Sequence, residues 1–177
     1  MLTFISGGAR CGKSSFAEKQ ALASCHSQKN GKLYYVATSM TSDEEMEARI
    51  SRHRLERGEE WQTIEAPAEV QAALEKIEQG STVLIDCLTV WLSNKLFINQ
   101  SGWKEIFQEV SSWTAIARQQ QLHLYIVSND LNEGIPSDMD SVKSYVYMLE
   151  QLHQCVITAA DEVYQVIAGI PEKWKGG

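Results

Sequence analysis

The residues with the clearest chemistry are glycines, a lysine and a serine near the start of the chain. Residues 7–14 read GGARCGKS and satisfy the G-x-x-x-x-G-K-[ST] phosphate-binding pattern. In such a loop, backbone N–H groups and the positive end of the following helix converge on a polyanionic phosphate. Lys13 would supply a mobile charge for the outer phosphates, and the Ser14 hydroxyl suits a Mg²⁺ ion shared with them. We therefore expect a nucleoside triphosphate here; the alternative is an ordinary glycine-rich turn between a strand and a helix.

A carboxylate follows another apolar run. Asp86 comes directly after Val83-Leu84-Ile85, where phosphate-loop proteins place an acidic residue that holds the shell of a magnesium ion. An aspartate that caps the next helix is the other interpretation of this position. Because the phosphate loop is also present, we favour the metal role.

A histidine stands among arginines in the first half of the chain. His53 follows Met46 and Ile50 at helical spacings, while Arg49 and Arg57 lie four residues to either side. Spacing alone favours a partly buried histidine on an amphipathic helix. The alternative is a nucleophile, because neutral imidazole attacks phosphorus and arginines hold phosphate oxygens in pairs. Nearby arginines would lower the pKa of His53 by like-charge repulsion and favour its reactive neutral form.

These groups need a scaffold that brings them together. Strands are expected at 2–6, 33–37, 82–86, 122–128 and 162–168, and helices at 14–24, 42–57, 68–78, within 88–97, at 103–120 and at 140–160. This alternation predicts an α/β fold like that of P-loop NTPases, with a mainly parallel central sheet flanked by helices. Ligands of such sheets bind beyond the carboxyl ends of the strands. The phosphate loop, Thr38, Ser39, Asp86 and residues 128–130 would all meet there.

Composition and charge narrow the classes of protein to which the chain can belong. With 177 residues, the chain is most economically one domain spanning 1–177. A net charge of −7 argues against nucleic acid as the main partner. Four cysteines without a C-x-x-C pair disfavour a zinc site or a disulfide framework. No secretory leader and no apolar stretch of membrane-spanning length stand out, so we expect a cytoplasmic protein without a membrane span.

Several ordered segments resemble one known family. They are GGARCGKS, YVATS, DEEM with ARI and His53, WQTIE, LIDCLT with Asn94, VSND with GIP, and AADEVY with AGI. In this order they resemble the bifunctional adenosylcobinamide kinase and adenosylcobinamide-phosphate guanylyltransferase family, also called the CobU family. The most particular element is Ala-Arg-Ile-x-x-His after Asp-Glu-x-Met, and the segments together cover nearly the whole chain.

The resemblance implies a two-step enzyme of cobalamin biosynthesis. It would phosphorylate the hydroxyl of adenosylcobinamide with ATP or GTP, and then transfer GMP from GTP to the product, giving adenosylcobinamide-GDP. A family histidine matching His53 would attack the α-phosphate of GTP, expel pyrophosphate and carry GMP covalently. Mg²⁺ as cofactor and a homotrimeric assembly are further implications.

Matching residue by residue implies the rest of the site. His53 and Lys13 would be catalytic, and Ser14 and Asp86 would hold Mg²⁺. Nucleotide contacts would come from Gly7, Gly8, Ala9, Arg10, Cys11, Gly12, Lys13, Ser14, Thr38, Ser39, Arg54, Leu55, Glu56, Arg57, Glu65 and Asp86.

The last long helix departs from the family pattern. Where the family has Phe-Arg-Asp…Gly…Asn-Gln, this chain has Tyr145-Val146-Tyr147, Glu150, His153 and Gln154. The missing arginine and aspartate bear on the kinase step, the corrinoid site or the subunit contacts. Two alternatives therefore stay open: another small-molecule kinase with a phosphate loop, or a divergent relative that only binds nucleotide. A regulatory GTPase is disfavoured, because no D-x-x-G occurs and Asn94-Lys95 lacks the aspartate of N-K-x-D.

Overall fold

A computed structural model of the chain describes residues 1–28, 31–40, 58–131 and 139–177. The expected helix at 42–57 lies outside these ranges, and so do His53, Arg54, Leu55, Glu56 and Arg57. The other candidate residues named above, including the whole phosphate loop, lie within them.

Seven strands and five α-helices make up the described part of the chain. The strands are β1 Leu2–Gly7, β2 Leu33–Ala37, β3 Trp61–Glu65, β4 Thr82–Asp86, β5 His123–Val127, β6 Glu162–Ile167 and β7 Ile170–Lys175. The helices are α1 Lys13–His26, α2 Val70–Glu75, α3 Leu88–Ser93, α4 Trp103–Gln119 and α5 Asp140–Ala159, with a π-helical segment at Asn94–Ile98.

All seven strands join one sheet, in the order β3-β2-β4-β5-β1-β6-β7. Neighbouring strands are parallel except β6 and β7, which form an antiparallel pair. This confirms the predicted α/β fold with a mainly parallel sheet. Among the described residues, no helix combines the length and apolar character needed to cross a lipid bilayer.

Two apolar layers cover the faces of the sheet. Val83 and Ile85 pack with residues of α2 to α5, whereas their neighbour Leu84 packs on the opposite face with Ala17 and Ala21 of α1. Because both faces are covered, the central strands are continuous apolar runs rather than alternating ones. This property made β1, β2, β4 and β5 visible in the sequence.

β3 and β7 were not expected from the sequence. β3 is the strand at one edge of the sheet, and its residues are only partly buried or exposed. β7 is the other edge, is exposed throughout and contains Pro171. Edge strands of this kind lack the apolar run that identifies a central strand.

Candidate functional site

The phosphate loop leaves β1 at a glycine that no other residue could replace without displacement. A Cβ on Gly7 would lie 2.4 Å from the carbonyl oxygen of Val166 on β6 and 2.7 Å from Cys11 Sγ. Gly12, the last residue before α1, has a φ of +92°, in the left-handed region that favours glycine. The turn between β6 and β7 supports the loop from the side, because the N–H of Gly169 donates to Cys11 O at 2.8 Å. The backbone path of the loop therefore depends on both glycines and on β6.

The start of α1 presents donors toward the loop. Gly12 is the N-cap, and no side chain caps the helix or places a carboxylate in its first turn. The first intrahelical bond runs from Phe16 N to Gly12 O, so the N–H groups of Lys13, Ser14 and Ser15 precede it. Unpaired N–H groups and the positive end of the helix dipole favour an anion at this position.

Lys13 lies buried against the loop. Its Nζ donates to the carbonyl oxygen of Gly8 at 3.0 Å, and the residue is 7% exposed. Within the described ranges this is its one hydrogen bond, which leaves two of the three ammonium protons for phosphate oxygens. Lys13 is also close enough to lower the pKa of the Cys87 thiol, which burial and the adjacent Asp86 raise to about 12. The positive charge of Lys13 and the carboxylate of Asp86 therefore both affect the Cys87 thiol at the end of β4.

Asp86 ends β4 and is held by a neighbouring strand. Its Oδ2 accepts a hydrogen bond of 2.9 Å from the hydroxyl of Tyr35 on β2. The order of the sheet places β5 between β4 and the phosphate-loop strand β1, so Asp86 and the loop are two strand spacings apart, about 10 Å.

Thr38, an expected nucleotide contact, follows β2 and bonds the segment after Asp86. It is fully buried, and its hydroxyl donates to Cys87 O at 2.9 Å while accepting from Cys87 N at 2.7 Å. Its carbonyl oxygen accepts from Nδ2 of the buried Asn94, which also bonds Pro67 O. The Thr38 hydroxyl therefore gives its proton to Cys87 O, and the side chain fixes the segment that follows Asp86. Its neighbour Ser39 is partly exposed.

The segment after β5 lies directly against the phosphate loop. The N–H of Ser128 donates to Ile5 O at 3.0 Å, and the N–H of Asp130 donates to Gly7 O at 2.9 Å. A cavity of ≈ 550 Å³ lies beside the loop and is lined by Gly8, Ala9, Arg10, Cys11, Asp130, Leu131, Val166, Ile167 and Ala168. The sequence placed residues 128–130 at this edge but assigned no role to Asp130, which was noted only for its position after an apolar strand and as part of the VSND segment.

Among the candidates that the structure describes, Glu65 lies on the strand farthest from the loop. It ends β3, and in the sheet register Ala37 pairs with Glu65 on one side and with Asp86 on the other. Glu65 therefore lies four strand spacings from β1, about 19 Å. One nucleotide contacts both the loop and Glu65 only if it extends along the carboxyl edge of the sheet.

A magnesium ion would find suitable oxygen ligands at this edge. The Ser14 hydroxyl and the Asp86 carboxylate are of the type that Mg²⁺ takes together with phosphate oxygens and water. Among the described residues there is no cluster of three or more His, Cys, Asp or Glu side chains able to hold a metal ion. The donor set thus fits an ion that a nucleotide helps to bind, rather than an ion held by protein groups alone.

Comparison with solved structures identifies proteins of similar overall fold. The flagellar accessory protein FlaH from Methanocaldococcus jannaschii superposes with a TM-score of 0.52 at 15% identity, over 99% of this chain and 78% of that one. A second solved structure, an ATPase domain, gives a TM-score of 0.51 at 12% identity, over 93% of this chain and 68% of that one. At such low identity these similarities concern the fold alone.

Sequence comparison identifies closer relatives. The bifunctional adenosylcobalamin biosynthesis protein CobP of Pseudomonas aeruginosa is 32% identical over 99% of this chain and 98% of its own length. The bifunctional adenosylcobalamin biosynthesis protein CobU of Escherichia coli is 31% identical over 99% of this chain and all of its own length. A family model described as cobinamide kinase / cobinamide phosphate guanyltransferase matches residues 3–174. The chain belongs to this family.

Proposed function

We propose that this chain catalyses both steps expected of the family. In the first step it would phosphorylate the hydroxyl of adenosylcobinamide with ATP or GTP. In the second it would transfer GMP from GTP to adenosylcobinamide phosphate, giving adenosylcobinamide-GDP. The observation that carries the proposal is the intact phosphate loop, Gly7 to Ser14, in a chain that matches the family from residue 3 to residue 174.

The loop and the start of α1 would hold the triphosphate. Backbone N–H groups would bind the phosphate oxygens, and Lys13 would leave Gly8 O to stabilise charge on the outer phosphates as it develops. Ser14 and Asp86 are the residues proposed to hold Mg²⁺, which when bound would neutralise charge on the phosphate oxygens.

His53 is proposed as the nucleophile of the second step. A nitrogen of its neutral imidazole would form a bond to the α-phosphorus of GTP while the bond to the pyrophosphate oxygen breaks. An oxygen of adenosylcobinamide phosphate would then attack the same phosphorus, and the N–P bond would break to release the product and restore His53. Support comes from the match of the segment around His53 to the family motif, since His53 lies outside the described residues.

Further nucleotide contacts are proposed for both halves of the site. Gly8, Ala9, Arg10, Cys11 and Gly12 belong to the loop, while Ser39 and Glu65 extend the site along the sheet. Arg54, Leu55, Glu56 and Arg57 would line the guanylyl site beside His53.

The proposal also covers the domain organisation, the cellular location and the oligomeric state of the protein. The 177 residues would form one domain, and four free thiols are consistent with the reducing cytoplasm. We also propose a homotrimer, for which the exposed apolar side chains of Phe97, Ile98 and Tyr147 offer a contact surface. Light scattering on the purified protein would measure its mass directly.

Radiolabelled GTP tests the guanylyl transfer. The protein is incubated with magnesium and GTP labelled at the α-phosphate, denatured, and examined for acid-labile label. We expect label on the wild type and on His26→Ala, which removes an exposed histidine paired with Glu60, and none on His53→Ala. An unlabelled wild type would contradict the guanylyltransferase proposal.

The kinase step is tested with γ-labelled ATP or GTP and adenosylcobinamide. Labelled adenosylcobinamide phosphate supports the proposal. Phosphate transfer by a protein that takes no α-label would leave a small-molecule kinase, and nucleotide binding without either reaction would leave a divergent binding protein.

A further inference from the structure

A chain of buried and part-buried hydrogen bonds links α5 to the edge of the sheet that carries the loop. Nε2 of His153 lies 2.7 Å from Ser128 Oγ, and Ser128 Oγ lies 2.9 Å from Thr89 Oγ1. Thr89 Oγ1 in turn accepts the N–H of Asn129 at 2.8 Å. None of these side chains has a role in the steps proposed above.

The donor and the acceptor of each hydrogen bond in this chain follow from a count of the available protons. Thr89 Oγ1 accepts the Asn129 N–H, and within the described part of the chain its one other partner is Ser128, so its proton goes there. Ser128 then donates its own proton to Nε2 of His153. In the reverse direction the buried Thr89 proton would have no acceptor, which is costly. His153 therefore accepts at Nε2 and carries its ring proton on Nδ1.

The charges around His153 are compatible with a neutral ring. Burial lowers its pKa to about 4, although the carboxylates of Asp130 and Glu150 act in the opposite direction. From β1, the group packed against the ring is the uncharged Phe4, with ring centroids 5.1 Å apart. The ring is therefore neutral at pH 7 and able to accept the Ser128 proton.

The hydrogen-bonded chain ends where the phosphate loop begins. Ser128 and Asn129 lead directly into Asp130, whose N–H bonds Gly7 O and which lines the cavity beside the loop. A second bond from the same helix, Tyr145 OH to Thr89 O at 2.7 Å, holds the start of α3. The helix α5 thus fixes both segments that approach the loop from the β4 and β5 side.

We propose that His153 is a positioning residue for phosphoryl transfer, acting through Ser128 and Thr89 to hold Asp130 beside the phosphate loop. This inference rests on the proposed kinase function. The position also lies in the part of α5 where the sequence departs from the family pattern, which has an asparagine in place of His153. An asparagine side-chain oxygen could accept the same Ser128 proton, so the two residues would serve the same bond.

The ring tautomer tests the proposal without any activity. In ¹⁵N NMR of the labelled wild type at pH 7, we expect His153 as the Nδ1–H tautomer. His123, whose Nδ1 lies 2.7 Å from Ser24 Oγ, gives the internal reference signal of a serine-bonded histidine away from the loop. An Nε2–H proton on His153 would overturn the proposed direction of the chain.

Steady-state kinetics test the positioning role. We expect His153→Leu to lower kcat for phosphoryl transfer about tenfold with little change in the KM for nucleotide, and His153→Asn to restore most of it. The double variant Ser128→Ala/His153→Leu should lower kcat no more than the worse of the two single variants, because both substitutions break the same hydrogen bond. Circular dichroism checks that each variant is folded.

The outcomes separate this inference from the proposed function. An active wild type with an unchanged kcat in His153→Leu overturns the positioning role alone. A wild type without phosphoryl transfer overturns the kinase proposal and with it the role assigned to His153. His123→Leu, which breaks a histidine–serine bond away from the loop, should leave kcat unchanged.

Discussion

The two ends of β5 carry the same pair of side chains in different settings. At the amino end His123 meets Ser24 of α1, and after the carboxyl end Ser128 meets His153 of α5, both at 2.7 Å. The pKa of each histidine is lowered chiefly by burial, assisted at His123 by the positive N-terminus and opposed at His153 by Asp130 and Glu150. Among the described residues, only the carboxyl-end pair continues through further hydrogen bonds toward the phosphate loop.

The polarity of the parallel sheet explains this difference. Helix starts and loops that follow the strands gather at the carboxyl edge, so charged and polar groups converge there on a ligand. At the amino edge the polar groups pair among themselves, as Lys32 does with Glu78 and His26 with Glu60. The same bond therefore supports the site at one end of β5 and packing at the other.

The largest expected effect comes from a lysine at the carboxyl edge. Lys13→Ala should lower kcat/KM for both reactions about a thousandfold, because it removes the buried charge aimed at the outer phosphates. Lys32→Ala, at the amino edge, should leave both rates unchanged. Initial rates of the two reactions measure the contrast, and equal losses in the two variants would remove the distinction between the edges.

A glycine in the loop gives the next largest effect. Gly7→Ala should lower the free energy of unfolding by about 3 kcal/mol, because the new Cβ overlaps the carbonyl oxygen of Val166. Gly80→Ala is the matched control: its φ is +76° but open space surrounds it, so about 1 kcal/mol is expected. Urea unfolding measures both variants. Similar losses of unfolding free energy would mean that the contact with β6 does not exclude a Cβ at position 7.

The carboxylate of Asp86 should matter more than the hydroxyl that holds it. Asp86→Asn should lower kcat about a hundredfold and raise the magnesium concentration needed for activity, because the proposed anionic ligand of Mg²⁺ is removed. Tyr35→Phe removes the hydroxyl that donates to that carboxylate and should lower kcat only a few-fold. A magnesium titration of initial rates, run on both variants, would refute the metal role if Asp86→Asn behaved like the wild type.

The smallest of the four effects is the pH dependence of stability that His153 contributes. Its folded pKa of about 4 is below the unfolded value of about 6.5, so the unfolded state binds the proton first and stability falls as pH drops below 6.5. Between pH 7.5 and pH 5 this amounts to about 2 kcal/mol. Urea unfolding of His153→Asn should show a decline smaller by that amount. An identical decline would mean that the ring is not held neutral.

Local sequence patterns predicted the central strands and the phosphate loop, because both are recognised from residues that are adjacent in the sequence. The apolar runs of β1, β2, β4 and β5 and the glycine spacing from Gly7 to Gly12 are visible in the sequence itself. The edge strands β3 and β7 were missed because exposure leaves them without an apolar signature.

Contacts between distant segments could not be predicted in the same way. No residue pattern indicated that the hydroxyl of Thr38 bonds Cys87, 49 residues away. His153 was noted only as a departure from the family pattern, and its bond to Ser128 requires the packing of α5 against β1 and β5. Such pairings depend on the order of the strands, which residue spacing does not reveal.

Amide chemical shifts of the ¹⁵N-labelled protein, recorded with and without GTP and magnesium, show whether the nucleotide binds at the carboxyl edge of the sheet. We expect the largest shift changes at Gly8, Gly12, Ser14 and Asp130. Signals at the amino edge should not change, although Lys32, Leu33 and Glu60 line a separate cavity of ≈ 610 Å³ there. Changes confined to the amino edge, with the loop unaffected, would contradict nucleotide binding at the carboxyl edge.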